Sequence, residues 1–335
     1  MVPYSAVGEL RTSDFLFLQK TKEPSFLVSG LVAIDGHHNL YRILHIPAFQ
    51  ELSIYGRATG GVFGALTVIQ SVLMSLSADR CVVVWDSPVP GFRKERAPDY
   101  KANRLPKTEE ERVKKEALTT LFRSQKAVLD QVLPLLGCRC IEMTGMEGDD
   151  LLYAVSQVTR EKTTLVSEDM DLAQLVTDRV KLFRPRKEEY VFPGNFVEVT
   201  GTRSTRDYVL KKALVGDVSD GIAGIPGVGD VRATALLDEV DGSDLGALRR
   251  HCAEHRSAPL RRVAERFDVV ERNLELMDLS RAPWSAERLQ SVATLVYDKP
   301  QTRDMPACRA FLERLRFDSL VSRFATWGHP FEMLR

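Results

Sequence analysis

Leu31-Val-Ala-Ile-Asp-Gly36 is a short apolar run that ends in an aspartate and a glycine. Such a run is typical of a strand that is buried on both faces and is followed by a turn. The same format returns at residues 81–85 and 163–166, each with acidic residues close behind, and residues 180–183 form a fourth run. We therefore predict four buried strands of one sheet.

Helical stretches separate these strands. Residues 61–76, 116–136 and 149–158 carry apolar side chains at helical spacing. Strands that alternate with helices predict an α/β fold with a mainly parallel central sheet flanked by helices. In such a sheet the carboxyl ends of the strands share one edge, and ligands bind there.

Acidic residues collect where these strands end. They also stand at a predicted helix start, in Met146-Glu-Gly-Asp-Asp150, and in Gly216-Asp-Val-Ser-Asp-Gly221. Carboxylates brought together repel one another unless cations neutralise them, and oxygen ligands suit Mg²⁺ or Mn²⁺. Many nucleases hold two such ions about 4 Å apart. The nine carboxylates of this predicted metal site are Asp35, Asp86, Glu147, Asp149, Asp150, Asp169, Asp171, Asp217 and Asp220.

Each of these acids also has a structural interpretation. An aspartate after a strand is often a helix N-cap or a turn residue, and acids in a first helical turn complement the helix dipole. The metal site is favoured because five such segments fall in strand-end register.

A basic insertion follows the second predicted strand, at about residues 88–126. From Arg93 to Lys126 there are eleven Lys or Arg and six Asp or Glu, a net charge of +5, with Phe92 and Tyr100 among them. Cations pair with phosphates and aromatic faces stack on unpaired bases. Lys101 or Arg104 could stabilise charge on a phosphate in the transition state. The alternative is a solvated loop and helix face, and the charges at 107–116 are better explained as pairs along a helix.

Gly224, Gly227 and Gly229 form a tight glycine cluster between two helical segments. Small residues let a backbone approach phosphates closely, as in a helix-hairpin-helix that binds duplex DNA. An ordinary turn between helices fits equally well. The cluster does not follow a strand, so it is a poor dinucleotide-binding motif.

Bulk properties fit a globular protein without a membrane span. The 335 residues suggest two modest domains or one large one, and the 46 Lys and Arg balance 46 Asp and Glu. The five cysteines are scattered, which favours reduced thiols over a zinc site at Cys138 and Cys140. There is no signal-peptide layout, and the longest apolar run, at 62–76, is too short and too polar to span a bilayer.

Together these motifs resemble the 5′-nuclease family, which includes flap endonucleases, bacteriophage 5′-nucleases and the 5′→3′ exonuclease domain of bacterial DNA polymerase I. They cover about residues 31–240 in family order. Gly148 stands where the family often has Ala, a change expected to cost little. The segments that carry the resemblance are Asp35-Gly-His-His-Asn-Leu-Tyr-Arg42, Val84-Trp-Asp86, Phe92-Arg93, Asp99-Tyr-Lys-Ala-Asn-Arg104, Met146–Asp150, Ser167–Leu175 and Gly216–Gly229.

The resemblance implies roles for individual residues. The nine carboxylates would hold two or more Mg²⁺ or Mn²⁺ ions. Lys101, from a helical arch, would reach the scissile phosphate, and Arg93 would act with it in catalysis. Arg104 would bind DNA from the same arch, and Tyr100 would stack on a base. The glycine hairpin would bind duplex DNA and hold a K⁺ ion.

The resemblance also implies an organisation. We expect an N-terminal extension at 1–28, a PIN/5′-nuclease-like core at 29–190 with the arch at about 88–126, a helix-hairpin-helix subdomain at 191–240, and a C-terminal helical region at 241–335. Since no polymerase sequence follows, we expect a stand-alone nuclease of the phage type. It would act in the cytoplasm of a cell or of a phage-infected host.

The expected function is a structure-selective 5′-nuclease of replication or repair. Its substrates would be DNA with a 5′ flap, a fork or a 5′ end, and RNA–DNA hybrids would be further substrates if it removes RNA primers. Replication proteins are the expected partners. The main alternative is a branched-DNA binding protein of the same fold that does not cut, but this would require lost carboxylates. A small-molecule phosphatase would need neither the arch nor the hairpin.

Overall fold

The computed structural model describes residues 30–335 except 51, 55, 90, 243 and 299–301. The predicted extension at 1–28 lies outside the described residues. The central sheet has six strands, among them the four that the sequence predicts. They are β1 (Leu31–Asp35), β2 (Arg80–Trp85), β3 (Arg139–Glu142), β4 (Thr163–Val166), β5 (Val180–Arg184) and β6 (Glu189–Val191).

The strands lie in the order β3-β2-β1-β4-β5-β6. All neighbouring pairs are parallel except β5 and β6. This confirms the predicted mainly parallel sheet. Two-residue strand pairs also form between Ser53–Ile54 and Arg57–Ala58, and between Gly216–Asp217 and Ile222–Ala223.

Helices cover both faces of the sheet and continue beyond it. Among the described residues the helices of the first half are α1 (Gly36–Ile43), α2 (Pro47–Gln50), α3 (Gly60–Leu76), α4 (Phe92–Arg96), α5 (Glu109–Leu135) and α6 (Gly148–Val158). Those of the second half are α7 (Phe196–Thr200), α8 (Thr205–Val215), α9 (Asp230–Glu239), α10 (Leu245–Glu254), α11 (Ala258–Glu265), α12 (Phe267–Met277), α13 (Ala286–Ala293), α14 (Met305–Arg314), α15 (Asp318–Val321) and α16 (Phe324–Glu332). Short 3₁₀ turns occur at Ala102–Arg104, Met170–Leu175, Pro193–Asn195 and Leu279–Arg281, and a π turn at Thr294–Asp298.

The alternation of side chains along β1 shows why its sequence is apolar throughout. Val32 and Ile34 pack into a cluster with α1, α3 and the second half of α5, whereas Leu31 and Ala33 pack on the opposite face with α6 and α13. All four are fully buried. A strand in the middle of a sheet that is covered on both sides needs apolar residues at every position.

The predicted C-terminal region at 241–335 divides among three places, of which the second cluster, with α13, is described above. Helices α10–α12 pack with α8 and α9 in a third apolar cluster, around the glycine hairpin. The last helices, α14–α16, return to the first cluster and contact α3 and α5. The boundaries predicted at 190 and 240 remain predictions.

None of the helices in the described part of the chain combines the length and the apolar character that crossing a membrane requires.

Candidate active site

A cleft of about 960 Å³ lies at the carboxyl edge of the sheet. Asp35 is the last residue of β1, Asp86 directly follows β2, and Asp169 comes three residues after β4. Strand-end acids far apart in sequence are thus brought together because parallel strands end at one edge. The predicted acids that line the cleft are Asp35, Asp86, Glu147, Asp149, Asp169, Asp171, Asp217 and Asp220, and Glu111 of α5 lines it as well.

Asp35 is held by two hydrogen bonds. As the N-cap of α1 its carboxylate accepts from the His38 backbone N–H at 2.9 Å, and it accepts from the Ser167 hydroxyl at 3.0 Å. Burial, followed by repulsion from Asp86, raises the pKa of Asp35 to about 7. The alternative predicted for Asp35, an N-cap, is confirmed, and the cap fixes the carboxylate at the cleft.

Asp86 depends on the glycine that opens α6. Its Oδ1 accepts from the Gly148 backbone N–H at 2.7 Å, and a Cβ at position 148 would lie 2.8 Å from that oxygen. Such a contact is too close for a real side chain, so Asp86 would have to shift. The expectation that Gly148 differs little from Ala overlooked this contact. On its other side, Asp86 Oδ2 lies 3.5 Å from Nδ1 of His37.

Glu147 and Asp149 stand at the start of α6, and their pKa values are shifted in opposite directions. Burial, followed by repulsion from Asp169 and Asp35, raises the pKa of Asp149 well above its usual value. Burial also disfavours the charge of Glu147, but Lys101 and Arg93 outweigh it and lower its pKa. Glu147 thus keeps its charge by pairing with cations.

Asp150 is a correction to the predicted metal set. Its side chain is fully buried, away from the cleft, and both oxygens accept from the Arg93 guanidinium, at 2.8 and 2.9 Å. It also accepts from the Glu147 backbone N–H at 3.0 Å, which closes a capping box. With its oxygens occupied in this way, Asp150 stabilises the start of α6 and does not line the cleft.

Arg93 is corrected for the same reason. Only 3% of its surface is exposed, and its Nε donates to the Leu276 carbonyl at 2.7 Å. Its guanidinium lies 3.6 Å from Glu147. Arg93 therefore joins α4, α6 and α12, and its burial does not fit the predicted catalytic role.

Lys101 projects into the cleft as predicted. Its Nζ lies 3.1 Å from Glu147 and 4.0 Å from Asp220. Its backbone is left-handed (φ 56°), and its N–H donates to the Asp220 carbonyl at 2.8 Å. A strained backbone that is held at a site by hydrogen bonds indicates a positioned side chain.

Tyr100 is a third correction. It is only 5% exposed and packs with Ala97, Ile222, Leu276 and Met277. Its hydroxyl lies 3.1 Å from both Glu147 and Asp220. The ring thus packs between the residue that follows α4, the strand residue Ile222 and the end of α12, and its faces are not open to a base.

Arg104 is exposed but paired. It forms an ion pair with Asp220 and donates to the Ser219 carbonyl at 3.1 Å. Half of its side chain is still open to solvent, so it borders the cleft with a cation that a phosphate could recruit.

Asp171 and Asp217 meet around a lysine that was not predicted from the sequence. Lys212, on α8, donates to Asp171 and, at 3.1 Å, to Asp217. Asp169 caps the 3₁₀ turn by accepting from the Asp171 backbone N–H at 2.8 Å. Burial, followed by repulsion from Asp169, raises the pKa of Asp171 to about 6. Lys212 could have been found from the sequence by its position in the last turn of α8, five residues before Asp217.

The first turns of α5 fall within residues 88–126, for which the arch stays a prediction. Thr108 caps the helix by accepting from the Glu111 N–H at 3.2 Å, and most side chains as far as residue 120 are exposed. Lys114 and Lys115 line the cleft. Arg112 forms the predicted helix pairs, with Glu109 and Glu116.

The glycine cluster is a turn between α8 and α9. Gly227 is left-handed (φ 84°), and a Cβ at Gly224 would lie 2.1 Å from the Val215 carbonyl. A Cβ at Gly229 would meet nothing within 4 Å. Gly224 and Gly227 are therefore needed for the fold of the turn, whereas Gly229 leaves its surface open.

Helix α1 adds further cleft residues that were not predicted. His38, Tyr41 and His45 line the cleft, and the Tyr41 and His45 rings lie 4.6 Å apart. These residues could have been predicted because α1 starts directly after Asp35, so that one face of this helix has to border the same edge of the sheet.

Comparison with known proteins supports one family. The family model described as "5'-3' exonuclease, N-terminal resolvase-like domain" matches residues 30–201. Thermostable DNA polymerase I of Thermus aquaticus is 31% identical over 319 residues, which cover 92% of this chain and 34% of that protein. The chain thus spans about a third of the length of the polymerases that it matches.

Two further similarities cover nearly whole proteins. A 5′-3′ exonuclease of Buchnera aphidicola is 24% identical over 255 residues, which cover 75% of this chain and 84% of that one. The structure of the bacteriophage T5 flap endonuclease, a pseudo-enzyme–product complex with DNA and metal ions, superposes with a TM-score of 0.62 at 20% identity. The match covers 84% of this chain and 98% of that one. At this identity the likeness concerns the fold, including its mainly parallel sheet.

Proposed function

This chain belongs to the 5′-3′ exonuclease family and so to the phosphodiester hydrolases, and from that membership we propose that it is a structure-selective 5′-nuclease. Its substrate would be DNA with a 5′ flap, a fork or a 5′ end. The observation that carries the proposal is one cleft lined by eight of the nine predicted carboxylates, with Lys101, Lys114 and Lys115 in the same lining.

Divalent cations fit this cleft by its own electrostatics. Burial and mutual repulsion raise the pKa values of Asp35, Asp149 and Asp171. Such a cluster carries uncompensated negative charge, and hard cations with oxygen ligands relieve it. The bacteriophage T5 flap endonuclease, of the same fold, was solved with metal ions. We propose two or more Mg²⁺ or Mn²⁺ ions, held by the predicted carboxylates that line the cleft, a set that leaves out Asp150.

Bound metal ions would supply an activated water and stabilise the leaving oxygen. The protein's own residues bind and orient the substrate. Lys101 holds a positive charge beside Glu147, where it can contact a phosphate and stabilise the charge that develops on it. Lys114 and Lys115 offer phosphate contacts from the arch.

The hairpin supplies a second contact in this proposal. The open surface at Gly229 lets a DNA backbone approach the N-terminus of α9. K⁺ at the hairpin stays a prediction with an obstacle, because the Pro226 and Gly227 carbonyls already accept from Arg262 and Arg232.

Substrate details beyond this belong to the proposal as well. Phosphate contacts do not read bases, so 5′-terminal RNA in an RNA–DNA hybrid fits the same cleft. Replication proteins are the partners that such a reaction implies, and the cytoplasm of a cell or of a phage-infected host is the proposed location.

Cleavage of a 5′-labelled flap duplex tests the proposal, with Mg²⁺ and with EDTA, against a 3′-flap duplex. We expect metal-dependent cutting of the 5′ flap alone. Tight binding without cutting would favour the alternative, a branched-DNA binding protein, and cutting of the 3′ flap would contradict the polarity.

A further inference from the structure

A second group of potential ligands lies in the subdomain of the glycine hairpin, outside the carboxylate cleft. Helix α9 ends at Glu239, α10 carries His251 in its last turn, and His255 is the C-cap of α10. Within the part of the chain that the structure describes, these three form the group whose ligand atoms all lie within 4.8 Å of one another.

The geometry of this trio follows from helical spacing. His251 and His255 are four residues apart, which places both rings on one face of α10, with centroids 5.6 Å apart. Glu239 faces them from the neighbouring helix. Its Oε2 lies 3.1 Å from Nε2 of His251 and 3.8 Å from Nε2 of His255.

The donor chemistry differs from that of the cleft. Two imidazoles and one carboxylate are a ligand set of Zn²⁺ and similar transition metals, whereas Mg²⁺ prefers oxygen. The side chains of Glu239, His251 and His255 are 51%, 34% and 24% exposed. An ion can therefore reach the trio from solvent, and water can complete its coordination.

We propose that Glu239, His251 and His255 bind one Zn²⁺ ion. The ion joins the ends of α9 and α10, and α9 begins directly after the hairpin. Occupancy thus stabilises the subdomain that carries the hairpin, independently of the nuclease reaction.

Binding requires one local rearrangement. Nδ1 of His255 accepts from the Ser257 backbone N–H at 2.9 Å. Coordination through Nε2 places the ring proton on Nδ1, so this hydrogen bond has to be given up. Ser257 is partly exposed, and water can take over its N–H.

Calorimetric titration with Zn²⁺, in a large excess of Mg²⁺ to occupy oxygen-rich sites, tests the proposal. We compare the wild type with the double variant His251→Gln/His255→Gln. The matched control is His329→Gln, which removes an exposed histidine of α16. The wild type and the control should bind one more Zn²⁺ than the double variant. Equal stoichiometry and affinity in all three would overturn the proposal.

Thermal unfolding gives a second measurement. Zn²⁺ should raise the melting temperature of the wild type and of the control, because a ligand that binds the native state stabilises it. The double variant should lack the part of this shift that the trio contributes, while its melting temperature in EDTA stays close to that of the wild type. Should the double variant fail to fold, Glu239→Gln keeps both histidines and should lower the Zn²⁺ affinity at least about tenfold. An unchanged affinity in Glu239→Gln would equally overturn the proposal.

Discussion

At the scale of single residues, Lys101 is the side chain whose role is most open to direct measurement. Its Nζ is held at Glu147, inside the cleft, by a left-handed backbone. Glu147 and Asp220 keep its pKa above the usual value even though burial opposes the charge. It therefore stays cationic at neutral pH.

Lys101→Ala should lower the cleavage rate about 10²–10³-fold, with a much smaller loss of DNA affinity, as expected for charge stabilisation in a transition state. Single-turnover cleavage and equilibrium binding measure the two effects separately. Lys94→Ala is the matched control, since Lys94 is a partly exposed lysine of α4 that donates to the Pro98 carbonyl. Equal losses of rate and affinity in Lys101→Ala would contradict the assigned role.

Arg93 and Asp150 form a buried ion pair, so their effect should appear in stability. Arg93→Gln leaves the Asp150 carboxylate buried without its partner, which should cost about 3–5 kcal/mol of unfolding free energy. Urea denaturation measures it. The double variant Arg93→Met/Asp150→Leu should recover much of the loss. A stable Arg93→Gln protein that has lost only its cleavage rate would instead return Arg93 to catalysis.

The errors at this scale have a geometric origin. Successive helical residues point about 100° apart, and here Asp149 faces the cleft whereas Asp150 turns toward Arg93. The sequence motif alone does not tell which of the two turns inward. The role of Tyr100 was predicted wrongly for a similar reason. Only the packing of α12 against Ala97 and Tyr100 reveals that the tyrosine ring is covered.

At the scale of elements, the sequence predicts a strand correctly where both of its faces have the same environment. The strands β1, β2 and β4 are buried on both faces, and their apolar runs identify them. β3 was missed because it lies at the sheet edge and carries Arg139 and Glu142. Helix α5 begins seven residues before the predicted position 116, because its exposed first turns touch no core and so lack apolar periodicity.

The hairpin permits a test that separates folding from binding. Gly229→Ala adds a methyl group where nothing lies within 4 Å, so the unfolding free energy should change by less than about 1 kcal/mol. If a DNA backbone approaches here, the methyl group should weaken duplex binding. Binding of single-stranded DNA, which would use the arch, is the internal control. Unchanged duplex affinity would remove Gly229 from the interface.

At the scale of the whole molecule, a net charge of zero conceals separate acidic and basic regions. The 46 acidic residues include the cluster in the cleft, and the 46 basic ones include the arch above it. Lys114 and Lys115 line the same cleft as the carboxylates. Composition could not predict this division, because it depends on where the chain places each sign of charge.

The acid cluster predicts an unusual pH dependence of stability. The pKa of Asp35 is about 7 and that of Asp171 about 6, both above the usual 3.8. Between about pH 4 and 7 the folded protein therefore holds protons that the unfolded chain has released, so these groups lower stability as pH rises. Mg²⁺ should offset the repulsion, raising the melting temperature more near pH 8 than near pH 5. The same Mg²⁺ shift at both pH values would show that the cluster is not the binding site.

The return of α14–α16 to the first apolar cluster also bears on biosynthesis. Phe331 is fully buried in the cluster that contains Ile34 of the first strand, about 300 residues earlier. At a ribosomal rate of about 5–20 residues per second, the earliest strand waits roughly a quarter of a minute to a minute for that partner. During this interval one side of the nascent sheet has to be shielded by something other than its own last helices.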